Sequence, residues 1–152
     1  MDMVLLTQAV CPSCGAANRV ASGRDPALAK CGKCRHSLSL TEPVDVDDDG
    51  LARHLRLTRG PVLLDVWAPW CGPCRMMGPQ FTSAAQRLAG EARLLRMNAD
   101  TAVSPNNLRV AGIPALILFD QEKEIGRHAG LIQAGDLVSW VKDRCPSRSA
   151  QT

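Results

Sequence analysis

The stretch that decides the fold is VLLDVWAPWCGPC, which occupies residues 62–74. Its first six residues are apolar apart from one aspartate and are typical of a buried strand, and the segment after Cys71 has the pattern of a helix. A helix N-terminus favours negative charge, so a thiol placed there ionises more readily, and the thiolate is the nucleophile. The two residues between Cys71 and Cys74 allow both sulfur atoms to meet across one turn. The pattern therefore predicts a redox-active pair of cysteines.

Asp65 is the one charged residue of this predicted strand. Strand alternation places it on the same face as Leu63 and Trp67, two large apolar side chains, which favours burial. Burial raises the pKa of a carboxyl group. An ionisable group with a shifted pKa beside a thiol pair indicates a functional site, so Asp65 is a candidate functional residue.

The chain has seven cysteines, of which six form three Cys-x-x-Cys pairs and Cys145 is left over. The first six residues are acidic where a signal peptide would be basic, and no apolar run approaches the roughly 20 residues that a membrane span needs. We therefore expect a soluble, cytoplasmic protein. In that compartment cysteines serve metal binding and catalysis rather than a disulfide framework.

The two upstream pairs have the spacing of a structural zinc site, with sixteen residues between them. Each pair presents two thiolates, and together they complete a tetrahedral shell around one Zn²⁺ ion. The predicted ligands are Cys11, Cys14, Cys31 and Cys34. We expect Gly15 and Gly32 to supply the left-handed backbone of these turns, and His36 to be exposed rather than a ligand. Redox activity of these pairs is the alternative, which we disfavour because neither follows an apolar strand or opens a helix.

The positive charge of the chain is concentrated in its first part. Residues 1–40 carry five basic and two acidic side chains, whereas residues 41–152 carry thirteen of each sign. A basic segment could contact nucleic acid or an acidic partner. A zinc ion bound by four thiolates contributes a net charge of about −2, which removes most of the excess. Nucleic-acid binding is therefore disfavoured.

After a linker at residues 41–43, the hydrophobic pattern predicts the order β-α-β-α-β-α-β-β-α. The predicted strands are residues 44–46, 61–67, 92–98, 115–119 and 124–129. The first predicted helix follows Asp47–Asp49, and the other three span residues 71–88, 103–108 and 133–144. Pro79 lies inside the second helix and should kink it. Parallel pairing at first and a hairpin at the end imply a mixed sheet covered by helices. No phosphate-binding glycine loop is present, so we expect no directly bound nucleotide.

On these residues the chain resembles the thioredoxin family, and specifically the thioredoxin 2 branch, which adds an N-terminal zinc-binding segment. The resemblance spans about residues 4–146 and rests on Asp65, residues 67–74, Pro79, Ile113-Pro114, Gly126 and Gly130, together with the upstream cysteine pairs. It implies an α/β thioredoxin fold, in which a mixed central sheet is flanked by helices, preceded by a small zinc-ribbon-like segment. The implied domains are a zinc-binding segment at 1–40, a thioredoxin domain at 41–146 and a disordered tail at 147–152.

The resemblance also implies a role for each site residue. Cys71 would be the attacking thiolate, Cys74 the resolving thiol, and Asp65 the buried acid that helps to deprotonate Cys74. Pro114 would be a cis proline facing the cysteine pair. The rim that receives protein substrates would consist of Trp70, Gly72, Pro73, Gly112, Ile113, Pro114 and Gly130.

Three features depart from the family pattern: Ala115 after the proline, Arg96 in place of a common lysine near the buried acid, and Asp120-Gln121-Glu122-Lys123 in place of a glycine-containing turn. None of them touches the thiol chemistry directly. Two other features are interpreted without a catalytic role, namely Cys145 as an incidental half-buried thiol and Met76 with Met77 as core and groove packing.

The function that the resemblance implies is reduction of protein disulfides by a monomeric enzyme with one structural zinc ion. A separate NADPH-dependent thioredoxin reductase would restore the dithiol. One alternative is a zinc-stabilised protein-binding module or holdase with secondary redox activity. Another is an oxidase or isomerase, which the lack of a signal peptide disfavours. Neither a membrane nor nucleic acid is an expected partner.

Overall fold

The computed structural model describes residues 6–145, and the tail predicted for residues 147–152 lies outside that range. The described chain begins with a small unit that carries the two upstream cysteine pairs. In it, β1 (Gln8–Val10) and β2 (Ala17–Arg19) form a two-stranded antiparallel sheet, and a one-turn 3₁₀ helix follows at Pro26–Leu28. We call residues 6–40 the ribbon.

A five-stranded mixed sheet in the order β3-β5-β4-β6-β7 forms the centre of the remaining chain. Its strands are β3 (Val44–Asp45), β4 (Pro61–Trp67), β5 (Arg93–Asn98), β6 (Ala115–Asp120) and β7 (Lys123–Ala129). β3, β5 and β4 are parallel, whereas β6 is antiparallel to β4 and β7 is antiparallel to β6. The helices are α1 (Asp48–Leu57), α2 (Gly72–Arg87), α3 (Ser104–Asn107) and α4 (Ala134–Arg144). The predicted order of elements and the mixed sheet are confirmed.

The sheet is apolar on both faces because helices cover both of them. On one face Leu63 of β4 packs with Phe81 of α2 and Leu137 of α4. On the other face Leu64 packs with Leu95 of β5 among the residues of the second core. This double burial explains why β4 reads as a nearly continuous apolar run rather than an alternating one.

The acidic run before α1 has two separate uses. Asp47 is the N-cap, and its Oδ1 accepts a hydrogen bond of 2.7 Å from the backbone N–H of Gly50. The next carboxylate, that of Asp48, accepts hydrogen bonds from the backbone N–H groups of Val103 and Ser104. These bonds hold α3 against the start of α1, and they lower the pKa of Asp48, with the Ser104 hydroxyl making the largest contribution.

A buried arginine fastens the ribbon to the sheet, in addition to backbone hydrogen bonds between the start of the ribbon and the residues just before β4. Arg93, at the start of β5, is 1% exposed and donates hydrogen bonds to the carbonyl oxygens of Val10 (2.8 Å), Leu38 (2.7 Å) and Ser39 (2.9 Å). Burial lowers the pKa of Arg93 to about 10, which still leaves the guanidinium protonated at neutral pH. A charged group buried in this way must find acceptors, and here the ribbon backbone supplies them.

Candidate active site and metal centre

The cysteine pair of residues 71 and 74 lies at the start of α2, directly after β4 and a short turn. Cys71 is the N-cap of the helix, and its Sγ accepts a hydrogen bond of 3.2 Å from the backbone N–H of Cys74. The two cysteines form a disulfide with their Cα atoms 5.2 Å apart, and both are buried. In the reduced protein the same helix N-terminus and N–H group would stabilise a thiolate at Cys71.

Asp65 lies on β4 with no exposed surface. Neither carboxylate oxygen accepts a hydrogen bond from a described residue. Burial raises the pKa of Asp65 from its ordinary value of 3.8 to about 7, against the opposing attraction of Arg96. The group is therefore poised to take up or release a proton near neutral pH.

Arg96 is the neighbouring cation, on the paired position of β5. Its Nε lies 3.8 Å from Oδ2 of Asp65, and its guanidinium stacks over the Trp67 ring at 4.6 Å from the ring centre. Because an arginine does not release its proton at neutral pH, the charge beside Asp65 is permanent. Arg96 therefore attracts the Asp65 carboxylate without adding a second titrating group at the site.

The second wall of the site comes from a distant part of the chain. The Ile113–Pro114 peptide bond is cis, and the carbonyl oxygen of Ile113 lies 3.8 Å from Sγ of Cys71. The backbone N–H of Gly130 donates a hydrogen bond of 2.9 Å to the carbonyl oxygen of Pro114. The fold therefore brings Ile113 from the second half of the sequence beside the cysteine pair, with Pro114 next to it in the chain and Gly130 bonded to Pro114.

The expected rim is exposed only in part, because Pro114 is buried and Ile113 and Gly130 are half-buried. Trp70 is 66% exposed, and its indole N–H donates to Oδ1 of Asp100 at 3.0 Å. Gly72, Pro73 and Gly112 are also exposed. Met76 and Met77 differ in exposure: Met76 is 62% exposed, whereas Met77 is fully buried.

Sequence reasoning missed two residues that hold this rim in place. Asp100 orients the Trp70 ring, and Arg75 donates two hydrogen bonds to the carbonyl oxygen of Pro69, at 3.2 and 2.9 Å. The first contact ties Trp70 to the loop after β5, and the second closes the turn that carries Trp70. Asp100 and Arg75 are exposed charged residues, and no pattern in the sequence distinguishes them from other exposed charges.

The four upstream cysteines converge on one point of the ribbon. Their sulfur atoms all lie within 4.8 Å of one another, with Cys11 and Cys34 at 3.6 Å and Cys14 and Cys31 at 3.6 Å. A tetrahedral zinc ion with Zn–S bonds of about 2.3 Å requires sulfur atoms about 3.8 Å apart. The donor set and its geometry therefore fit one zinc ion, with all four positions supplied by the protein.

Backbone N–H groups support two of these sulfur atoms. The N–H groups of Ser13 and Cys14 donate to Sγ of Cys11. On the other turn, those of Lys33 and Cys34 donate to Sγ of Cys31. Despite a hydrogen bond from the His36 N–H, burial and the neighbouring thiols raise the pKa of Cys34 to about 11. The hydrogen bond from the Cys34 N–H, followed by one from the Asn18 side chain, lowers the pKa of Cys31 to about 6. A low thiol pKa favours the thiolate form that a metal ion requires.

Three expectations about the cysteines are corrected by the structure. Gly15 has a positive φ of 81°, but Gly32 does not, and Arg35 with φ of 69° takes the corresponding position in the second turn. An apolar strand, β1, does precede Cys11, although three residues were too few to recognise in the sequence. Cys145 is not half-buried, because only 2% of it is exposed. His36 is exposed and stands outside the cluster of sulfur atoms.

Comparisons with known proteins agree with this geometry. The sequence profile of the family Thioredoxin matches residues 42–143, and the profile described as Thioredoxin 2, N-terminal, matches residues 10–36. The chain is 33% identical to Thioredoxin C-3 of Corynebacterium nephridii over 135 residues, which cover 87% of this chain and 91% of the relative. It is 32% identical over 98 residues to a thioredoxin of Rickettsia felis, covering 64% of this chain and 93% of the relative.

Among solved structures, a mutant thioredoxin from Halobacterium salinarum NRC-1 superposes with a TM-score of 0.64 at 25% identity. The match covers 71% of this chain and 95% of that chain. Fold and relatives together define a thiol–disulfide oxidoreductase. The chain belongs to the thioredoxin family, whose members reduce protein disulfides, and it carries the N-terminal segment of the thioredoxin 2 type. Within residues 6–145 no helix is long and apolar enough to cross a membrane.

Proposed function

We propose that this protein reduces disulfides in other proteins through the Cys71–Cys74 dithiol and is itself reduced by an NADPH-dependent thioredoxin reductase. The observation that carries the proposal is the disulfide at the N-terminus of α2, beside the cis peptide bond of Ile113–Pro114. The rim of Trp70, Gly72, Pro73, Gly112, Ile113, Pro114 and Gly130 would receive the extended substrate backbone. The compartment would be the cytoplasm, where thiols remain reduced.

The proposed reaction has two thiol–disulfide exchange steps. The Cys71 thiolate attacks one sulfur of the substrate disulfide, forms a mixed disulfide and releases the other substrate sulfur as a thiolate. Cys74 then attacks the Cys71 sulfur, which releases the second substrate thiolate and closes the Cys71–Cys74 disulfide. Two electrons pass from the protein to the substrate, and the reductase returns two electrons from NADPH.

Asp65 would act in the second step. Cys74 is 2% exposed, so its thiol needs a proton acceptor inside the protein. An Asp65 carboxylate with a pKa of about 7 can accept that proton and later return it to solvent. Asp65→Asn should therefore slow the resolution of the mixed disulfide more than its formation.

Substitution of each cysteine tests the mechanism. In an assay with NADPH, a thioredoxin reductase and insulin as the disulfide substrate, Cys71→Ser should abolish NADPH oxidation. Cys74→Ser should retain the first step and accumulate a mixed disulfide, visible as a protein adduct by mass spectrometry. Cys145→Ala is the matched control and should turn over normally, because Cys145 caps the end of α4 in a core cluster that does not include the pair.

Undiminished turnover of Cys71→Ser would refute the redox mechanism. It would then favour the alternative of a zinc-stabilised binding module, whose activity does not depend on a thiolate. A holdase of that kind would suppress the aggregation of an unfolded client equally well with and without Cys71.

We further propose that Cys11, Cys14, Cys31 and Cys34 hold one structural zinc ion. Residues 1–40 would form a zinc-binding segment, and residues 41–146 a thioredoxin domain that follows it. When bound, the ion would supply a closed tetrahedral crosslink between the two cysteine turns. The sulfur distances support this assignment.

Metal analysis of the reduced full-length protein should find about one zinc per chain. Cys14→Ser should lower the zinc content, whereas Cys145→Ala should leave it unchanged. A ribbon that remains folded and protected from proteolysis without any bound metal would contradict the proposal.

A further inference from the structure

A second cleft lies at the far end of α2 from the disulfide. It has a volume of about 780 Å³ and is formed between the ribbon loop of residues 19–30 and the turn at residues 89–91 that follows α2. Because α2 has 16 residues, the cleft is separated from Cys71 by about 24 Å along the helix axis. It is therefore distinct from the redox site and also contains none of the four clustered cysteines.

The rim of this cleft carries a net positive charge, with three basic and two acidic side chains among its lining residues. Arg19, Arg24 and Lys30 line it, all three are exposed, and none forms an ion pair with another residue in the range 6–145. Each of the two acids of the cleft has a partner, and only one of these partners is a cation. Asp25 accepts a hydrogen bond from the backbone N–H of Ala27, and Glu91 pairs with Lys142 at 3.7 Å.

The cleft also presents aliphatic surface. Leu28, on the 3₁₀ helix, is 73% exposed, which is the largest exposed fraction among the large hydrophobic residues of the described chain. Pro26 and Ala29 lie beside it in the wall, and no aromatic residue lines the cleft. Nucleic-acid binders of single strands rely on aromatic side chains that stack on bases, so this surface suits a peptide better.

We propose that this cleft docks an acidic peptide segment of a partner protein, with its carboxylates at Arg19, Arg24 and Lys30 and an aliphatic side chain against Leu28. The volume lies within the range of ligand sites, and the charges of cleft and peptide are complementary. A partner held here leaves the rim around Cys71 open. The proposal does not depend on the proposed redox chemistry.

Fluorescence anisotropy with the full-length oxidised protein tests the proposal. The probe is a dye-labelled peptide of alternating glutamate and leucine, and it should bind saturably, with an affinity that falls as salt is added. Arg19→Glu with Arg24→Glu should weaken binding by about tenfold or more, since two attractions become repulsions. Leu28→Ser should weaken binding while leaving its salt dependence unchanged.

The matched control is Arg56→Glu with Lys123→Glu, which makes the same change in net charge at exposed positions outside the cleft. It should leave peptide affinity within about twofold. Lys30 is not substituted because it precedes Cys31. Unchanged zinc content and circular dichroism in each variant verify that it is folded.

Four results would overturn the proposal. They are failure of the probe to bind, an equal loss of affinity in the control variant, tighter binding of a single-stranded oligonucleotide that requires Arg19 and Arg24, and peptide binding that appears only after deletion of residues 2–5. The third result would assign the cleft to nucleic acid, and the fourth would assign it to the chain's own first residues.

Discussion

The carboxyl group of Asp65 occupies a place in the core where its charge is unfavourable. Its native pKa of about 7 lies above its ordinary value of 3.8, and the cause is burial. Between those two pH values the native protein binds more protons at this site than the unfolded chain does, so its stability falls as pH rises. A shift of about three units corresponds to about 4 kcal/mol when Asp65 is fully ionised.

Asp65→Asn should therefore stabilise the oxidised protein by several kcal/mol at pH 8 and by much less at pH 4, since both side chains are then neutral. Urea unfolding of the two proteins at the two pH values measures the difference. Asp143→Asn, at an exposed carboxylate of α4, should show no such dependence. An equal effect at both pH values would mean that the ionisation of Asp65 is not the cause.

At the scale of elements, the turn of the β6–β7 hairpin consists of residues that its backbone conformation disfavours. Asp120 pairs with Lys123, so the loop consists of Gln121 and Glu122 alone, and both have positive φ, 51° and 70°. L-amino acids with a Cβ atom are disfavoured in this region by about 1–2 kcal/mol each, and two-residue hairpin loops therefore favour Asn-Gly. The sequence showed that this turn contains no glycine, but it did not show that Gln121 and Glu122 have positive φ.

The double substitution Gln121→Asn with Glu122→Gly should stabilise the protein by about 1–2 kcal/mol, because glycine has no Cβ atom and asparagine tolerates positive φ better than glutamine does. The midpoint of urea unfolding measures the gain. Glu122→Ala is the control and should bring no gain, since alanine keeps the Cβ atom. A double variant no more stable than this control would show that the turn conformation carries no strain.

At the scale of the whole molecule, Arg93 joins the ribbon to the thioredoxin domain. Its three hydrogen bonds reach residues 54 to 83 positions away in the sequence. A chain cut before residue 41 would leave this buried guanidinium without those acceptors, at a penalty of several kcal/mol for an uncompensated charge. Truncation would therefore destabilise the thioredoxin domain as well as remove the ribbon. Substitutions of the zinc-site cysteines are the better way to measure the ribbon's contribution to activity.

Arg93→Met should destabilise the protein by several kcal/mol, at about 1–3 kcal/mol for each carbonyl group left without a donor. It should also speed proteolytic cleavage of the ribbon loop at residues 21–24 and the release of zinc to a chelator. Arg96→Met, a half-buried arginine on the same strand that touches no ribbon carbonyl, is the matched control and should leave ribbon cleavage unchanged. Equal cleavage rates in the two variants would contradict the fastening role.

Several parts of this protein could be predicted from the sequence because local patterns encode them. The cysteine pairs, the strand before Cys71 and the order of helices and strands each depend on neighbours within a few positions. Alternation along a single strand predicted the burial of Asp65, although the structure buries both faces of β4. The family resemblance added Pro114 and the rim, whose positions beside Cys71 no local pattern could supply.

Other features were decided only by the tertiary structure, because they depend on contacts between residues far apart in the chain. In the sequence, Arg93 and Asp100 look like ordinary charged residues. Their roles depend on hydrogen bonds to the ribbon backbone and to the Trp70 side chain. The cleft at Leu28 exists only because the ribbon loop stands against the turn after α2. The VLLDVWAPWCGPC stretch by itself determined the chemistry at one end of α2, whereas packing determined the surface at the other end.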